Sequence, residues 1–288
     1  MLYGAKTIAK YLLGTDRADR NFAVFPDDTM IVSYPRSGNT WMRFLVAHLL
    51  HPDLAISFAN IETLIPDTAA ISSRALKRVP RPRTIKSHEY FDHRYPKTIY
   101  IVRDPRDVVL SFYDFQRKYG QIEDSFPLEM YVNDFVLGRL NSASWGTWAE
   151  NVGSWTSSRY GSHRFLLVRF EDMLSDTKLQ LARVADFIGV ATSSAMLDRA
   201  VMHSSAGRMR KLEKQQEHQW TATQNHRKDI PFVRTAKAGG WKNQLPRESA
   251  VQIEQAWTPL MVSLGYPVDS CRREAIQHPF GISYSISL

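Results

Sequence analysis

The sequence predicts an α/β fold, a mostly parallel central sheet flanked by helices, in a single domain over residues 1–288. Two observations carry this expectation. Four short apolar runs read as strands: Met30 to Ser33, Thr84 to Ser87, Thr98 to Arg103 and Phe165 to Phe170. Helical patterns lie between and after them, and such alternation implies parallel strands joined by crossover helices on both faces. Trp41 to Leu50 is almost continuously apolar. Pro105 to Tyr119 opens with proline at a first helical position, where its missing N–H is not needed. Thr177 to Ile188 stops just before Gly189, a residue suited to ending a helix.

Composition bounds the function. A chain of 288 residues, 43% hydrophobic and 23% charged, is globular and long enough to bury a large core. No apolar run approaches the roughly 20 residues that span a bilayer. The N-terminus lacks the features of a signal peptide, so a cytoplasmic setting without stable membrane insertion is expected. Cys271 is the only cysteine, which rules out an internal disulfide or a cysteine metal cluster and fits a reducing compartment. A net charge of +8 and a pI near 9.5 favour an anionic partner: nucleic acid, anionic lipid or a polyphosphorylated nucleotide. Leu2, Ala5, Ile8, Ala9 and Leu12 fall near helical spacing, with Lys6 and Lys10 on another side. That segment is read as a helix packed on the domain, with peripheral membrane or partner contact as the alternative. The polar stretch Lys211 to Asp229 is expected to be a mobile loop, either a solvated surface or a lid.

The most informative segment is Ile31-Val32-Ser33-Tyr34-Pro35-Arg36-Ser37-Gly38-Asn39-Thr40-Trp41. An apolar strand runs into a short polar turn that opens a helix. Backbone N–H groups at the helix N-terminus, the cation of Arg36 and the hydroxyls of Ser37 and Thr40 suit a phosphate or sulfate. Trp41 adds a flat face for an adenine. An ATP-binding P-loop needs two glycines and a lysine, and Gly38 alone is present here. The stretch Tyr34 to Trp41 closely resembles the 5′-phosphosulfate loop of sulfotransferases that use 3′-phosphoadenosine 5′-phosphosulfate (PAPS), usually Y-P-K-S-G-T-T-W. Arg36 stands where that family usually has lysine. The resemblance implies that Arg36, Ser37, Gly38, Asn39, Thr40 and Trp41 hold the nucleotide within a P-loop-NTPase-like sulfotransferase fold.

Tyr100-Ile101-Val102-Arg103 through Ser111 is again strand, turn and helix. Arg103 closes the strand and Ser111 lies about two turns into the helix, so one anion could meet both. The family's Y-x-x-R-x-x-x-D-x-x-x-S has the same spacing, with Asp107 in place; by resemblance Arg103 and Ser111 hold the 3′-phosphate. Without that comparison, Arg103 and Asp107 read as a surface ion pair. Val233 to Asn243 is similar in part to the late motif R-K-G-x-x-G-D-W-K-N: Arg234, Gly239, Trp241, Lys242 and Asn243 fit, while Thr235 and Ala236 replace Lys-Gly. Arg234, with the backbone of Thr235 and Ala236, is the implied clamp, and Lys237 could substitute for the lost lysine. Phe165 to Met173 and Trp148 to Trp155 also resemble family segments. Phe170 stands where many relatives have tyrosine near the adenine, and Ser204 matches an adenine-side threonine; both have a plain core reading as well.

His88, directly after the strand Thr84 to Ser87, titrates near neutrality and suits a general base. The segment resembles the family's K-T-H, which implies His88 as catalytic base and Lys86 as a contact to the transferred group, with Arg36 stabilising charge on the leaving phosphate. Eight other histidines lack this context, and Glu89 is a weaker rival base. The chain is thus identified as a bacterial-like member of the cytosolic sulfotransferase type, moving a sulfuryl group from PAPS to a hydroxyl or amine of a small-molecule acceptor and releasing 3′-phosphoadenosine 5′-phosphate (PAP), without metal or nucleic acid. Two other classes stay open: a nucleotide kinase or NTPase, which should show a complete Walker sequence, and a non-catalytic basic nucleotide- or RNA-binding protein. The acceptor pocket is expected in Ser57 to Arg81, Gln121 to Ser144 and Lys211 to Asp229, with Phe58, Phe91, Phe115, Tyr119, Phe126 and Tyr131 as candidate lining.

Overall fold

A computed structural model describes residues 13, 15–140, 144–216, 226–233 and 237–269. Its sheet has four parallel strands in the order β2-β1-β3-β4, where β1 is Thr29–Ser33, β2 Thr84–Ser87, β3 Lys97–Val102 and β4 Phe165–Arg169. Each expected strand is present, with ends shifted by no more than a residue. Expected helices are present too, as Asn39–Leu50, Pro105–Lys118 and Thr177–Ile188, the last ending on Gly189 at φ 78°.

Period-two alternation puts successive strand residues on opposite faces. Met30, Val32, Tyr100 and Val102 join one apolar core, with Val108, Val109, Trp148, Trp155, Ile253 and Trp257. Ile31, Ile99 and Ile101 join the other, with Phe44, Leu45, Leu49, Leu181 and Val184. The helix Asn39–Leu50 therefore covers one face, and helices Pro105–Lys118, Trp148–Arg159 and Arg247–Ser263 cover the other. A sheet buried on both sides explains why its strands read as nearly unbroken apolar runs.

Register matters for the site, because it brings the carboxyl ends of the strands side by side. Val32 of β1 pairs with Ser87 of β2 and with Tyr100 of β3, and Val102 of β3 pairs with Arg169 of β4. The residues that follow each strand are gathered at one edge, where open α/β sheets bind ligands.

Three expectations are revised or fall away. Lys211 to Gln216 is the last part of a helix, Ala206–Gln216, and not loop; 217–225 lie outside the described residues. Met209 on that helix packs into the second core, which accounts for the ordering of an otherwise polar segment. The N-terminal helix expected over Leu2 to Leu13 and the single Cys271 also fall almost wholly outside the described residues. Among the described residues, no helix is long and apolar enough to cross a membrane.

The other end of the sheet is tied by a fully buried ion pair. Arg83, just before β2, donates to Asp28, just before β1, through Nε at 2.8 Å and Nη2 at 2.6 Å, while its backbone carbonyl accepts Thr29 N–H at 2.8 Å. Both side chains are 0% exposed. Removing one partner strands a buried charge, which typically costs about 3–5 kcal/mol. Asp28→Ala is therefore expected to lower unfolding stability by about that amount in urea titrations. Arg81→Ala, which breaks an exposed pair with Asp27, should leave the midpoint nearly unchanged.

Candidate functional site

All four strands deliver a residue to one cleft of about 970 Å³: Arg36 after β1, His88 after β2, Arg103 after β3 and Phe170 after β4. Thr40, Trp41, Lys86, Ser111 and Lys237 line it as well.

The turn after β1 has an unusual backbone. Arg36 sits at φ 68° and Gly38 at φ 98°, left-handed values that side chains other than glycine rarely adopt. At Gly38 a Cβ would lie 2.5 Å from the Phe170 ring, so glycine is required on both counts. Asn39 ties the turn back to its strand, its amide donating to the Ile31 carbonyl and Ser33 Oγ, each at 3.2 Å. The helix that follows has no side-chain cap bond at Gly38. Ser37 Oγ and Trp41 Nε1 are buried and have no hydrogen-bond partner among the described residues. Buried polar atoms are otherwise almost always paired, so donors left open beside an uncapped helix N-terminus fit an oxyanion.

Arg36 is held on every side. Its guanidinium lies 4.8 Å from the Phe115 ring centroid and 4.7 Å from that of Phe232. Its Nε donates to Ser111 Oγ at 3.2 Å and Nη2 to the Phe232 carbonyl at 3.4 Å. The second motif meets the same residue from the other direction: Arg103 Nη1 donates to the Arg36 carbonyl at 3.2 Å and Nη2 to that of Lys237 at 3.1 Å. Arg103 and Ser111 thus share the cleft wall as the spacing implied, but Arg36 occupies the Ser111 hydroxyl. Asp107 is no surface ion pair. It is 4% exposed and accepts Gly239 N–H at 2.7 Å and Trp241 N–H at 3.0 Å, which fixes the late motif against the second. Arg106 stacks 3.7 Å from the Trp241 ring centroid and reinforces that junction.

Phe170 is 5% exposed, packed edge-on to Trp41 at 5.9 Å with the Arg103 guanidinium 4.4 Å from its centroid. It is at once core and cleft wall. Ser204 is fully buried, its Oγ has no hydrogen-bond partner among the described residues, and the nearby Ala206 lines the cleft. Arg234, Thr235 and Ala236 lie outside the described residues.

His88 Nδ1 is 2.7 Å from the Ser33 backbone carbonyl. A carbonyl only accepts, so Nδ1 carries the proton and Nε2 keeps its lone pair. Burial, with the Lys86 charge second, holds the imidazole down to a pKa of about 3, far below the near-neutral titration expected from the sequence, so the ring is neutral at physiological pH. Lys86 is ion-paired to Asp67, an acid that no sequence motif singles out. Glu89, the rival base, is absent from the cleft lining and sits 4% exposed, with Arg20, Asp19 and Asp92 as charged neighbours.

Of the aromatic residues expected at the acceptor, Phe115 and Tyr119 line the cleft, joined by Phe112. Phe58 and Tyr131 are core, and Phe91 and Phe126 pack against it. Glu62, Asp67, Ala69 and Ala70 come from the first expected loop and Gln121, Arg139 and Leu140 from the second; none of the described residues of 211–229 contributes.

Glu89 has a measurable signature. Burial raises its carboxyl to about 7, above the ordinary value of 4.5 that the unfolded chain shows. A raised pKa means the native state prefers the proton, so its stabilising contribution is complete below about pH 4.5 and is lost as pH rises through 7. Glu89→Gln is expected to raise the calorimetric midpoint at pH 8 and to leave it unchanged at pH 4.

Comparison with known proteins agrees with this geometry. The profile of the sulfotransferase domain matches residues 26–265. Mouse sulfotransferase 1B1 is 27% identical over 278 residues, covering 91% of each chain, and mouse sulfotransferase 1A1 is 26% identical over 278 residues, covering 90% of this chain and 93% of its own. Among solved structures, mouse sulfotransferase SULT7A1 complexed with PAP superposes with a TM-score of 0.69 at 21% identity, covering 93% of this chain and 96% of its own. Retinol dehydratase in complex with androsterone and the inactive cofactor PAP gives 0.72 at 20% identity, covering 91% and 88%. These two share the fold. With the domain profile spanning most of its length, the chain belongs to the sulfotransferase family.

Proposed function

We propose that this protein transfers a sulfuryl group from PAPS to a hydroxyl, or an amine, of a small-molecule acceptor in the cytoplasm, with His88 as general base. The observation that carries this reading is the His88 imidazole, oriented by the Ser33 carbonyl, in the same cleft as an uncapped helix N-terminus and Arg36. PAPS supplies an activated sulfonate on the 5′-phosphate and a distinguishing 3′-phosphate.

The residues fit that donor. Ser37 Oγ, the turn's N–H groups and Arg36 suit the 5′ end, and Arg103 with Ser111 suits the 3′-phosphate. Arg103 is now bonded to two neutral carbonyls. A phosphate adds charge–charge attraction and a bidentate fit to what the guanidinium gains from neutral carbonyls, so the donor displaces such contacts. Arg234, Thr235 and Ala236 complete the clamp by resemblance. Trp41, Phe170 and Ser204 form the adenine side, where Trp41 Nε1 and Ser204 Oγ have polar capacity to spare.

His88 Nε2 accepts the acceptor's proton as the acceptor oxygen bonds to sulfur and the sulfur–oxygen bond to the 5′-phosphate breaks. The departing electron pair stays on PAP, where the fixed Arg36 guanidinium stabilises it. Arginine suits this role because it holds its charge and is not a proton donor. The wall of Phe112, Phe115 and Tyr119 favours an acceptor with an apolar or aromatic body.

Incubation with sulfur-labelled PAPS and a panel of phenol, steroid, lipid, sugar and peptide acceptors tests the reaction, and failure to sulfate any of them would count against it. His88→Ala is expected to reduce turnover about 10²–10⁴-fold, the usual weight of a general base, with PAP affinity unchanged. Normal turnover in that variant would remove His88 from the mechanism. In the unliganded protein, the His88 ring nitrogens should show a neutral imidazole by NMR from pH 8 down to 5, since its pKa lies near 3.

A further inference from the structure

Asp67 is held by more bonds than an adventitious surface acid. Residues Pro66 to Thr68 run beside β2 as a short parallel bridge, with Lys86 N–H donating to the Pro66 carbonyl at 2.8 Å and Thr68 N–H to the Lys86 carbonyl at 3.1 Å. This bridge sets Asp67 directly opposite Lys86, and their side chains form an ion pair 11% and 14% exposed. The other carboxylate oxygen of Asp67 accepts Ala69 N–H at 3.0 Å. Its own N–H reaches Glu62 Oε2 at 3.3 Å, and Glu62 is in turn bonded at 3.2 Å to Arg43, a buried residue of the helix Asn39–Leu50. The backbone of Asp67 is thus anchored, through the Glu62 and Arg43 side chains, to the helix that opens at the anion-binding turn. Although burial opposes its charge, Lys86 and Arg43 hold its pKa down to about 2, so it stays ionised.

We propose that Asp67 is a positioning residue which sets the Lys86 ammonium at the acceptor end of the cleft and withholds it from tight ground-state binding of the donor's sulfonate. The inference rests on the reading of PAPS as donor with Lys86 at its sulfuryl group. Any sulfonate reaching Lys86 competes with Asp67 for the ammonium and is repelled by the carboxylate. Both effects act in one direction. They weaken PAPS relative to PAP, which has no group there, and the barrier that follows falls by as much as Lys86 holds the sulfuryl group more strongly in the transition state than in the ground state.

The test is a pair of calorimetric titrations, PAPS and PAP, each without acceptor, on the wild type and on Asp67→Asn. Asparagine retains an oxygen for Ala69 N–H, so local structure has a partner, and circular dichroism checks folding. PAPS affinity is expected to rise about five- to tenfold relative to PAP affinity, a usual size for coupling between neighbouring sites. Asp67→Glu, which restores the charge, should return the ratio towards wild type. An unchanged or lowered ratio in Asp67→Asn overturns the inference, and Asp67→Ser replaces that variant if it fails to fold, with the same expectation. Lys86→Met separates the two levels. Added to Asp67→Asn, where the ammonium is released to the sulfonate, it should lower the PAPS-to-PAP ratio. If it leaves that ratio untouched, Lys86 does not meet the sulfuryl group and the underlying reading fails; if it lowers the ratio while Asp67→Asn alone matches the wild type, the role of Asp67 alone fails.

Discussion

The guanidinium of Arg36, clasped between the rings of Phe115 and Phe232, is where the three motifs of the cleft meet. Phe115 belongs to the helix of the second motif and Phe232 directly precedes the third, so one side chain of the first motif touches both. Its carbonyl serves as well, accepting Arg103. A lysine in this position would offer a point charge on a flexible stem, with neither planar faces to stack nor a fixed fork to reach Ser111. The left-handed backbone at Arg36 is the cost of this arrangement, and residues are held in such conformations only where their surroundings over-determine them. Two rings and several hydrogen bonds supply that determination.

Pre-organisation extends outward from this point in layers. Asp107 holds the late motif by two backbone N–H bonds, and Arg106 stacks on Trp241 while forming buried ion pairs with Asp104 and Glu254. Glu213, buried on the helix Ala206–Gln216, accepts the N–H groups of Phe232 and Val233 at 2.6 and 2.8 Å. The short stretch covering Arg36 is therefore fixed from both sides of the cleft. Such rigidity favours transfer chemistry, because cations already in place need no reorganisation as charge develops.

How much of this is legible in the sequence depends on how local the determining interactions are. The strands, the turn at Tyr34 to Gly38 and the helices were readable because apolar periodicity and turn chemistry act over a few residues. Arg103 and Ser111 were readable for the same reason, lying within one strand-turn-helix unit. Without the family comparison Asp107 reads as half of an ion pair, because its actual partners, the N–H groups of Gly239 and Trp241, lie more than 130 residues away. Phe232 carries no motif, and its place over Arg36 exists only once the helix bearing Glu213 has packed on the second core. Asp67 sits in a stretch with neither strand nor helix periodicity, and only the bridge to β2 brings it to Lys86.

The two ends of the cleft follow different construction rules, and this bears on specificity. At the proposed nucleotide end, the lining residues come from strand termini and a helix N-terminus, whose geometry the sheet register fixes. At the proposed acceptor end, walls come from Glu62, Asp67, Ala69 and Ala70, from Gln121, Arg139 and Leu140, and from Phe112, Phe115 and Tyr119 in or just after the helix Pro105–Lys118, and only Lys86 and His88 belong to a strand or its immediate exit. Acceptor choice can thus change by loop substitution without disturbing the register that aligns His88 with Arg36. Asp67 is the exception, since it belongs to a loop yet is tied by Glu62 and Arg43 to the helix after the anion-binding turn. A change at Asp67 should therefore reach the donor through Lys86, whereas changes at Gln121, Arg139 or Leu140 have no such route and should act on the acceptor alone.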